Sequence, residues 1–600
     1  MFPLERLLLL HWVAHALRFA FVAYLFGCLW AVGHVLGRVF RLGAAYGLAV
    51  RLVEIALGFG VFSLVVRCLG ASGLAMREPL LGLLALSGLL LLWKRKNLLP
   101  AVAAPGLGKN WPTVLLALLP LPMALAPAVS YDALVYQLRF PEMTLWTGSW
   151  ATDPANSHSF FPAASETLYL FGLAVDPSGI CAQLTHYVFF LLTLAALAAL
   201  GRVEGGVRAG AIAALLFASI PAAGIVAGWS WSDMTLCFVL LASALSLILG
   251  EVGPGVALLG LAAGIKYSGI PLSLPLAAAA VVIGFRRRRI GPLLAGTGAA
   301  LVIAAPWYVF NWLAVRNPVY PLLPSLFGGS PETAGGIVNW TKSPLAPWAS
   351  YILRPATVDS DLGGIGMMIA LAAALVACAV SRRHLGAAAV VLGGFAMLMA
   401  FAPAARILLP PLAGGCLLAG LASERLRTPV GARLAYALAG VLALRGAALI
   451  SGHNALFFNP VPCAAGLEKP DEYRQRNFPP DTLFRRAEEK LPANARVLVF
   501  GESRLFRFPR WTIASTKVDP AAVAPFLSRA ASPSEVFARL RRRGVTNVLF
   551  SLDAFRPVPE QAVWRRGLSE SDLAMLSQTL RLCRVVDRQD SLVLVELPRS

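Results

Sequence analysis

Charge is scarce in this sequence: Asp, Glu, Lys and Arg make up 14% of 600 residues, against 58% hydrophobic residues and a mean hydropathy of +0.69. A soluble globular chain carries roughly 25% charged residues, so water is excluded as the main solvent. The eight cysteines show no metal-ligand spacing. Cys28, Cys68, Cys181, Cys237, Cys378 and Cys416 lie in or beside apolar runs, where they read as small fillers. Cys463 and Cys583 fall in the last 150 residues, where a disulfide between them is compatible with the sequence but not required by it. No internal repeat is evident. The GxGxxG spacing of a dinucleotide turn is also absent, since Gly501 is followed by Glu502, Ser503 and Arg504. The run Leu7 to Leu10 is interrupted by His11, His15 and Arg18 and meets no small-residue cleavage site. An anchor or interfacial helix is expected there.

What is abundant is long apolar runs. Crossing roughly 30 Å of hydrocarbon takes about 20 residues, and about fourteen such runs are recognised between positions 17 and 450. The shorter ones, such as 79–93 and 254–267, fit buried or re-entrant segments equally well. The formal charge of +21 is concentrated in clusters between the runs: Arg38 with Arg41, Lys94 to Lys96, Arg286 to Arg289, Arg382 with Arg383, and Arg425 with Arg427. Read by the positive-inside rule, these clusters share the cytoplasmic face. Nucleic acid is then not needed to explain the charge. The loops 131–178 and 313–362 and the tail from 451 onward are expected on the outer face of a plasma membrane, the inner membrane in a bacterium.

The two long outer loops carry Trp146, Trp150, Asp153, Asn156 and His158, and Asn317 to Tyr320, Asn339, Trp340, Trp348 and Tyr351. They are too long for plain connections and too aromatic for disorder, although an interfacial aromatic belt has the same composition. Beyond 451 the period changes. Residues 495–500, 547–551 and 592–597 read as buried strands, alternating with helical stretches at 481–491, 533–543 and 569–581. The expected fold is therefore an α-helical polytopic membrane bundle of about 14 transmembrane helices with a C-terminal soluble α/β domain. The divisions are 1–100, an added N-terminal helical module; 101–450, the core; and 451–600, the small domain.

Ionisable residues at membrane boundaries are expensive to desolvate and invite a functional reading. Asp132, Glu166, Asp233, Lys266 and Arg406 all reach the outer face at similar depth in this topology. Three carboxylates and two cations suit a phosphorylated substrate, with a carboxylate accepting a proton from a hydroxyl and the cations holding a departing phosphate. Each residue taken alone is also compatible with a buried ion pair, a snorkelling side chain or a helix cap. Glu166 and Asp233 could bind a divalent cation or orient an acceptor, and no ligand spacing requires the metal.

The segment SYDALVYQLRFPEMTLWTGSW resembles the first outer loop of bacterial GT-C-type membrane glycosyltransferases, the superfamily of protein mannosyltransferases and lipid A aminoarabinose transferases. Asp132 matches the family's catalytic base. Pro162 and Glu166 match the helix that returns to the membrane, and Asp233 matches an acidic residue opening a later helix. Lys266 matches the end of a Gly-rich helix, NPVYPLLPSLFGG from Asn317 matches a further stretch, and Arg406 in RILLPPL matches an Arg-Tyr-Leu-Leu-Pro segment. The resemblance covers roughly 110–425 and implies a GT-C-like catalytic core. It also implies transfer of a sugar from a polyprenyl-phosphate donor to a glycan, lipid or protein acceptor by inverting displacement. Asp132 would be the base, and Lys266 and Arg406 would hold the donor phosphate. Two departures bear on acceptor and phosphate contacts: Gln137 stands where many relatives have His, and Glu142 near a usual basic residue. Four spans before the loop, rather than one, set residues 1–100 apart as an addition. An ion-coupled transporter and a non-catalytic component of an envelope polysaccharide assembly are the rival readings.

Overall fold

A computed structural model describes residues 3–40, 42, 47–94, 110–329, 333, 361–381, 384–401, 405–426 and 428–598. The basic residues Arg41, Arg95, Lys96, Arg382, Arg383 and Arg427, and the loop residues Asn339, Trp340, Trp348 and Tyr351, lie outside them. The chain divides into two compact units. One comprises Met1–Ala128, Pro162–Val309 and Trp340–Lys469; the other comprises Val129–Phe161, Phe310–Asn339 and Pro470–Ser600.

The first unit is a bundle of apolar helices, and the chain is an integral membrane protein. Among the described residues seven helices are long and apolar enough to cross a bilayer, and the count is eight if one bent pair is a single span. Other expected spans are shorter or broken, so the described helices do not establish fourteen. The apolar run at 112–130 is divided into Trp111–Leu118 and Leu121–Leu125 around Pro120. The run at 207–227 bends by 75° between Val207–Ala218 and Pro221–Ala227. Proline breaks a helix by removing a donor and crowding the preceding turn, and Pro221 sits at the second break. Glycines bring helices together, as small residues do where lipid offers no hydrophobic drive between them. A Cβ at Gly33 would stand 1.6 Å from the Glu54 carbonyl oxygen, and one at Gly201 would stand 2.5 Å from the Gly210 Cα. The Glu54 side chain is buried in this contact and accepts from Trp30 Nε1 at 2.8 Å and Arg51 Nη1 at 3.1 Å, with His34 Nδ1 at 2.7 Å. All eight cysteines are free, and Cys463 is buried near the end of this unit.

The second unit is built on a five-stranded sheet: β1 (Arg496–Phe500), β2 (Trp511–Ala514), β3 (Asn547–Ser551), β4 (Arg584–Gln589) and β5 (Leu592–Glu596), in the order β2-β1-β3-β5-β4. β1 is parallel to β2 and β3, with Val497 opposite Asn547, whereas β5 is antiparallel to β3 and β4. The central strands are buried on both faces, which is why they read as continuous apolar runs. Leu498, Phe500, Val548, Phe550, Val593 and Val595 share one core with Val536, Phe537 and Leu540 of helix Pro533–Arg542 and Leu576 and Leu580 of helix Glu570–Arg581. Both helices are capped as their sequences suggest. Ser532 accepts from Glu535 N–H, and Ser569 forms a capping box with Asp572. On helix Asp481–Lys490, Phe484 meets Phe508 edge to face at 5.1 Å between ring centroids.

The open edge of β2 is covered by the loop after Val129. Arg139, fully buried in helix Arg139–Thr147, donates to the Phe508 carbonyl at 2.8 Å, the Arg510 carbonyl at 2.7 Å and Thr512 Oγ1 at 3.2 Å. Its charge is met by Glu142 at 2.7 Å, which also accepts from the Arg507 N–H at 3.1 Å. Glu142, one of the departures from the family pattern, therefore serves the fold. Arg139→Ala strands a buried carboxylate and two carbonyls. A local loss of roughly 3 kcal/mol is expected, seen as an increase on the order of 100-fold in hydrogen exchange at residues 511–514. Unchanged exchange would show that the edge is held by other contacts.

Asp153 completes the cover, accepting from Ala514 N–H at 2.7 Å and Ala155 N–H at 2.9 Å. Burial pushes its carboxyl up to about 7, with the Asp519 charge adding to the rise and the two N–H donors and Arg139 opposing it. The folded state thus keeps a proton that the unfolded chain releases near its usual value of about 4. This contribution to stability is whole below about pH 4 and is lost as pH rises through about 7. Protection of residues 511–516, corrected for intrinsic exchange, should fall across that window in the wild type and stay nearly level in Asp153→Asn. Equal slopes in the two proteins would remove Asp153 as the cause.

Candidate functional site

Four of the five charged residues singled out by sequence lie in the bundle unit. Asp233 is the first residue of helix Asp233–Ile248, and Lys266 follows the last residue of helix Val252–Ile265. Their side chains pair, with Lys266 Nζ donating to Asp233 Oδ1 at 3.0 Å, and Asp233 is only 4% exposed. Glu166, in the first turn of helix Ala164–Val175, is buried and within electrostatic reach of both. Arg406 also acts on Asp233, and its guanidinium stacks over the Trp231 ring at 4.1 Å. Asp233 Oδ2 and Glu166 Oε2 are buried with no hydrogen-bond partner among the described residues. Helix ends bring these groups together because apolar helices must place their charged residues at their termini.

Two neutral side chains of the bundle support this cluster and were not singled out by sequence. His186 accepts from the Met234 N–H at 3.1 Å, and the Tyr169 hydroxyl donates to the Trp231 carbonyl. His186 is the one histidine of the helix Ile180–Glu204, a polar signal that would have found it.

Asp132 belongs to the other unit. It is half-buried and precedes a π-helical turn, Ala133–Gln137. Its Oδ2 accepts from the Tyr136 hydroxyl at 3.1 Å, and the Tyr136 ring stacks on His158 at 4.9 Å between centroids. Gln137, the other departure from the family pattern, is buried, and its Oε1 has no hydrogen-bond partner among the described residues. Asn317 organises the NPVYPLLPSLFGG segment in the same unit. It donates to the carbonyls of Leu322 at 2.9 Å and Gly328 at 3.2 Å and accepts from the Val319 N–H at 3.0 Å.

A divalent cation does not suit the donor set. The oxygen of Asp233 nearest Lys266 already meets an ammonium, and among the described residues no three His, Cys, Asp or Glu side chains gather around one point.

The fold is similar to that of solved structures of ArnT. The chain is similar to ArnT from Cupriavidus metallidurans bound to undecaprenyl phosphate, with a TM-score of 0.52 and 17% identity over 80% of this chain and 97% of that one. The apo form of the same protein matches with a TM-score of 0.52 and 18% identity over 80% and 96%. No family model matches the sequence, and no curated protein matches it.

Proposed function

We propose that the protein is a membrane glycosyltransferase that moves a sugar from a polyprenyl-phosphate donor to a glycan, lipid or protein acceptor on the outer face of the membrane. The observation that carries this reading is the buried Asp233–Lys266 pair, with Glu166 and Arg406 within electrostatic reach, in a bundle with the fold of a protein solved with undecaprenyl phosphate. A charge cluster of this kind is costly in apolar surroundings, and a phosphate at the interface would give its cations a role.

Asp132 takes the proton of the acceptor hydroxyl as that oxygen attacks the anomeric carbon. The new glycosidic bond forms as the bond from the anomeric carbon to the phosphate oxygen breaks, and the configuration inverts. The electron pair leaves on the polyprenyl phosphate, whose charge Lys266 and Arg406 stabilise. Asp233 holds the Lys266 ammonium in place, and Glu166 orients the acceptor. A lipid donor explains why the chemistry belongs in a bundle of apolar helices. The small unit lies on the outer face with the loops, as the arginine clusters imply.

The test is a transfer assay with the purified full chain and radiolabelled polyprenyl-phosphate sugars in lipid nanodiscs. Label should move to an acceptor and be absent when the donor phosphate is omitted. Solute uptake into vesicles without any sugar transfer would overturn the reading in favour of a transporter.

A further inference from the structure

The small unit contains a cleft of about 430 Å³, inside the roughly 300–1,000 Å³ range of small-molecule sites. Its place follows from the strand order. β1 lies between β2 and β3 and is parallel to both, so the chain first steps to one side of β1 and later returns on the other. Where strand connections diverge in this way, a crevice opens beyond the carboxyl ends of the strands. Gly501 directly follows β1, Ser551 ends β3, and both line the cleft. Gly501 has φ +87°, and a Cβ there would stand 2.7 Å from the Ala554 Cβ and 2.9 Å from the Ser551 Cβ. A side chain at this position would close the crevice and strain the backbone.

The lining selects the occupant. In a phosphate-binding turn, the N–H groups after the glycine would be open to the ligand. Here the Ser503 and Arg504 N–H groups both donate to Glu502 Oε1, at 2.9 Å each. The Arg504 guanidinium is likewise engaged by Glu502, at 3.0 and 2.7 Å. Carboxylates outnumber cations three to two around the cleft, which disfavours a phosphate or nucleotide. Asp553 pairs with Arg556 at 3.0 Å and the Gln589 amide is shared between Arg486 and Asp590, so what remains is Gln561 as acceptor and amide donor, further lone pairs of Asp553 as acceptors, Lys517 as a further donor, and the rings of Tyr131 and Trp564. The Lys517 ammonium lies 5.2 Å from the Tyr131 ring centroid, and among the described residues it pairs with no carboxylate. Hydroxyls both donate and accept, so mixed amides, carboxylates and an ammonium match a polyhydroxyl ring, while aromatic walls suit its C–H faces.

We infer that this cleft binds a neutral, hydroxyl-rich saccharide and serves as the subsite for the sugar portion of the acceptor. The acceptor role rests on the glycosyltransferase reading above; the binding does not. Tyr131 links the two, since its hydroxyl is held by Ser503 at 2.9 Å and the next residue in the chain is Asp132. A saccharide in the cleft is thus held by the segment that carries the proposed base, and acceptor choice is set in the small unit.

Saturation-transfer NMR on the full chain in lipid nanodiscs tests this directly, with mannotriose, maltotriose and chitotriose as probes and inorganic phosphate and ATP as counter-probes. At least one trisaccharide should bind. The double variant Lys517→Ala/Gln561→Ala should weaken that binding by about tenfold or more while elution and far-UV spectrum stay as in the wild type. Should the double variant fail to fold, Asp553→Asn, which keeps the side-chain size, should show the same weakening. The inference is overturned if no trisaccharide binds, if phosphate or ATP displaces it, or if the cleft variants bind unchanged. Trisaccharide binding through these residues without any sugar transfer would instead sink the glycosyltransferase reading and leave the cleft standing.

Discussion

Sugar transfer by the Asp132→Asn variant should fall by about 10³-fold in kcat, with little change in donor KM, because a positioned base contributes roughly 10²–10⁴-fold and an amide cannot take the proton. The substitution is suited to the question. Asp132 is half-buried, and its Oδ2 accepts a hydrogen bond from Tyr136 at 3.1 Å. The amide oxygen of Asn can accept the same bond, so the π-helical turn Ala133–Gln137 that follows should keep its form. Tyr136→Phe is the matching control. It removes the hydrogen bond and leaves the carboxylate, so transfer should fall by no more than roughly 10- to 100-fold, the size expected for one hydrogen bond to a charged group. Comparable transfer by Asp132→Asn and wild type would sink Asp132 as the base. A large loss in Tyr136→Phe alone would shift the proton acceptor toward the Tyr136–His158 stack.

Much of the small unit was legible in the sequence, and the reasons are physical. The three buried strands announce themselves as apolar runs because both faces are covered, and the amphipathic stretches at 481–491, 533–543 and 569–581 correspond to observed helices. The two strands missed are short or polar. WTIA at 511–514 alternates half-buried and buried positions but has only four residues, and RVVDRQ at 584–589 is largely open to solvent, so neither presents a long apolar run. Strand order was beyond reach as well, because the order β2-β1-β3-β5-β4 depends on contacts distant in sequence, and with it went the cleft at the end of β1. In the bundle the composition is uniformly apolar, so the runs were visible and their breaks were not, apart from the prolines that mark them. Charged residues stood out for the opposite reason: in an apolar run a single Lys or Asp is conspicuous. That made Asp233 and Lys266 readable as candidates. Their pairing was not readable, since 33 positions separate them. Arg139 gives no such signal, because its role depends on the carbonyls of Phe508 and Arg510, more than 360 positions away.

Removing the Lys266 ammonium should damage the protein in two separable ways. Asp233 is 4% exposed and meets Lys266 at 3.0 Å, so Lys266→Met leaves a carboxylate buried without that partner. Breaking a buried pair from one side costs roughly 3–5 kcal/mol, a large share of the stability of any domain. The variant should therefore inactivate much faster on heating in nanodiscs. Asp233→Asn should do less harm, because Lys266 is 18% exposed and keeps some access to water. The double variant Asp233→Asn/Lys266→Met replaces an ion pair by neutral groups and should recover most of the lost thermal stability. Function should not recover with it. If Lys266 holds the departing phosphate, transfer stays low in the double variant, and donor KM stays raised, even though the fold is restored. A double variant that regained both stability and transfer would reduce Lys266 to a structural counter-ion, and Arg406, stacked on Trp231 at 4.1 Å, would then be left as the proposed phosphate ligand.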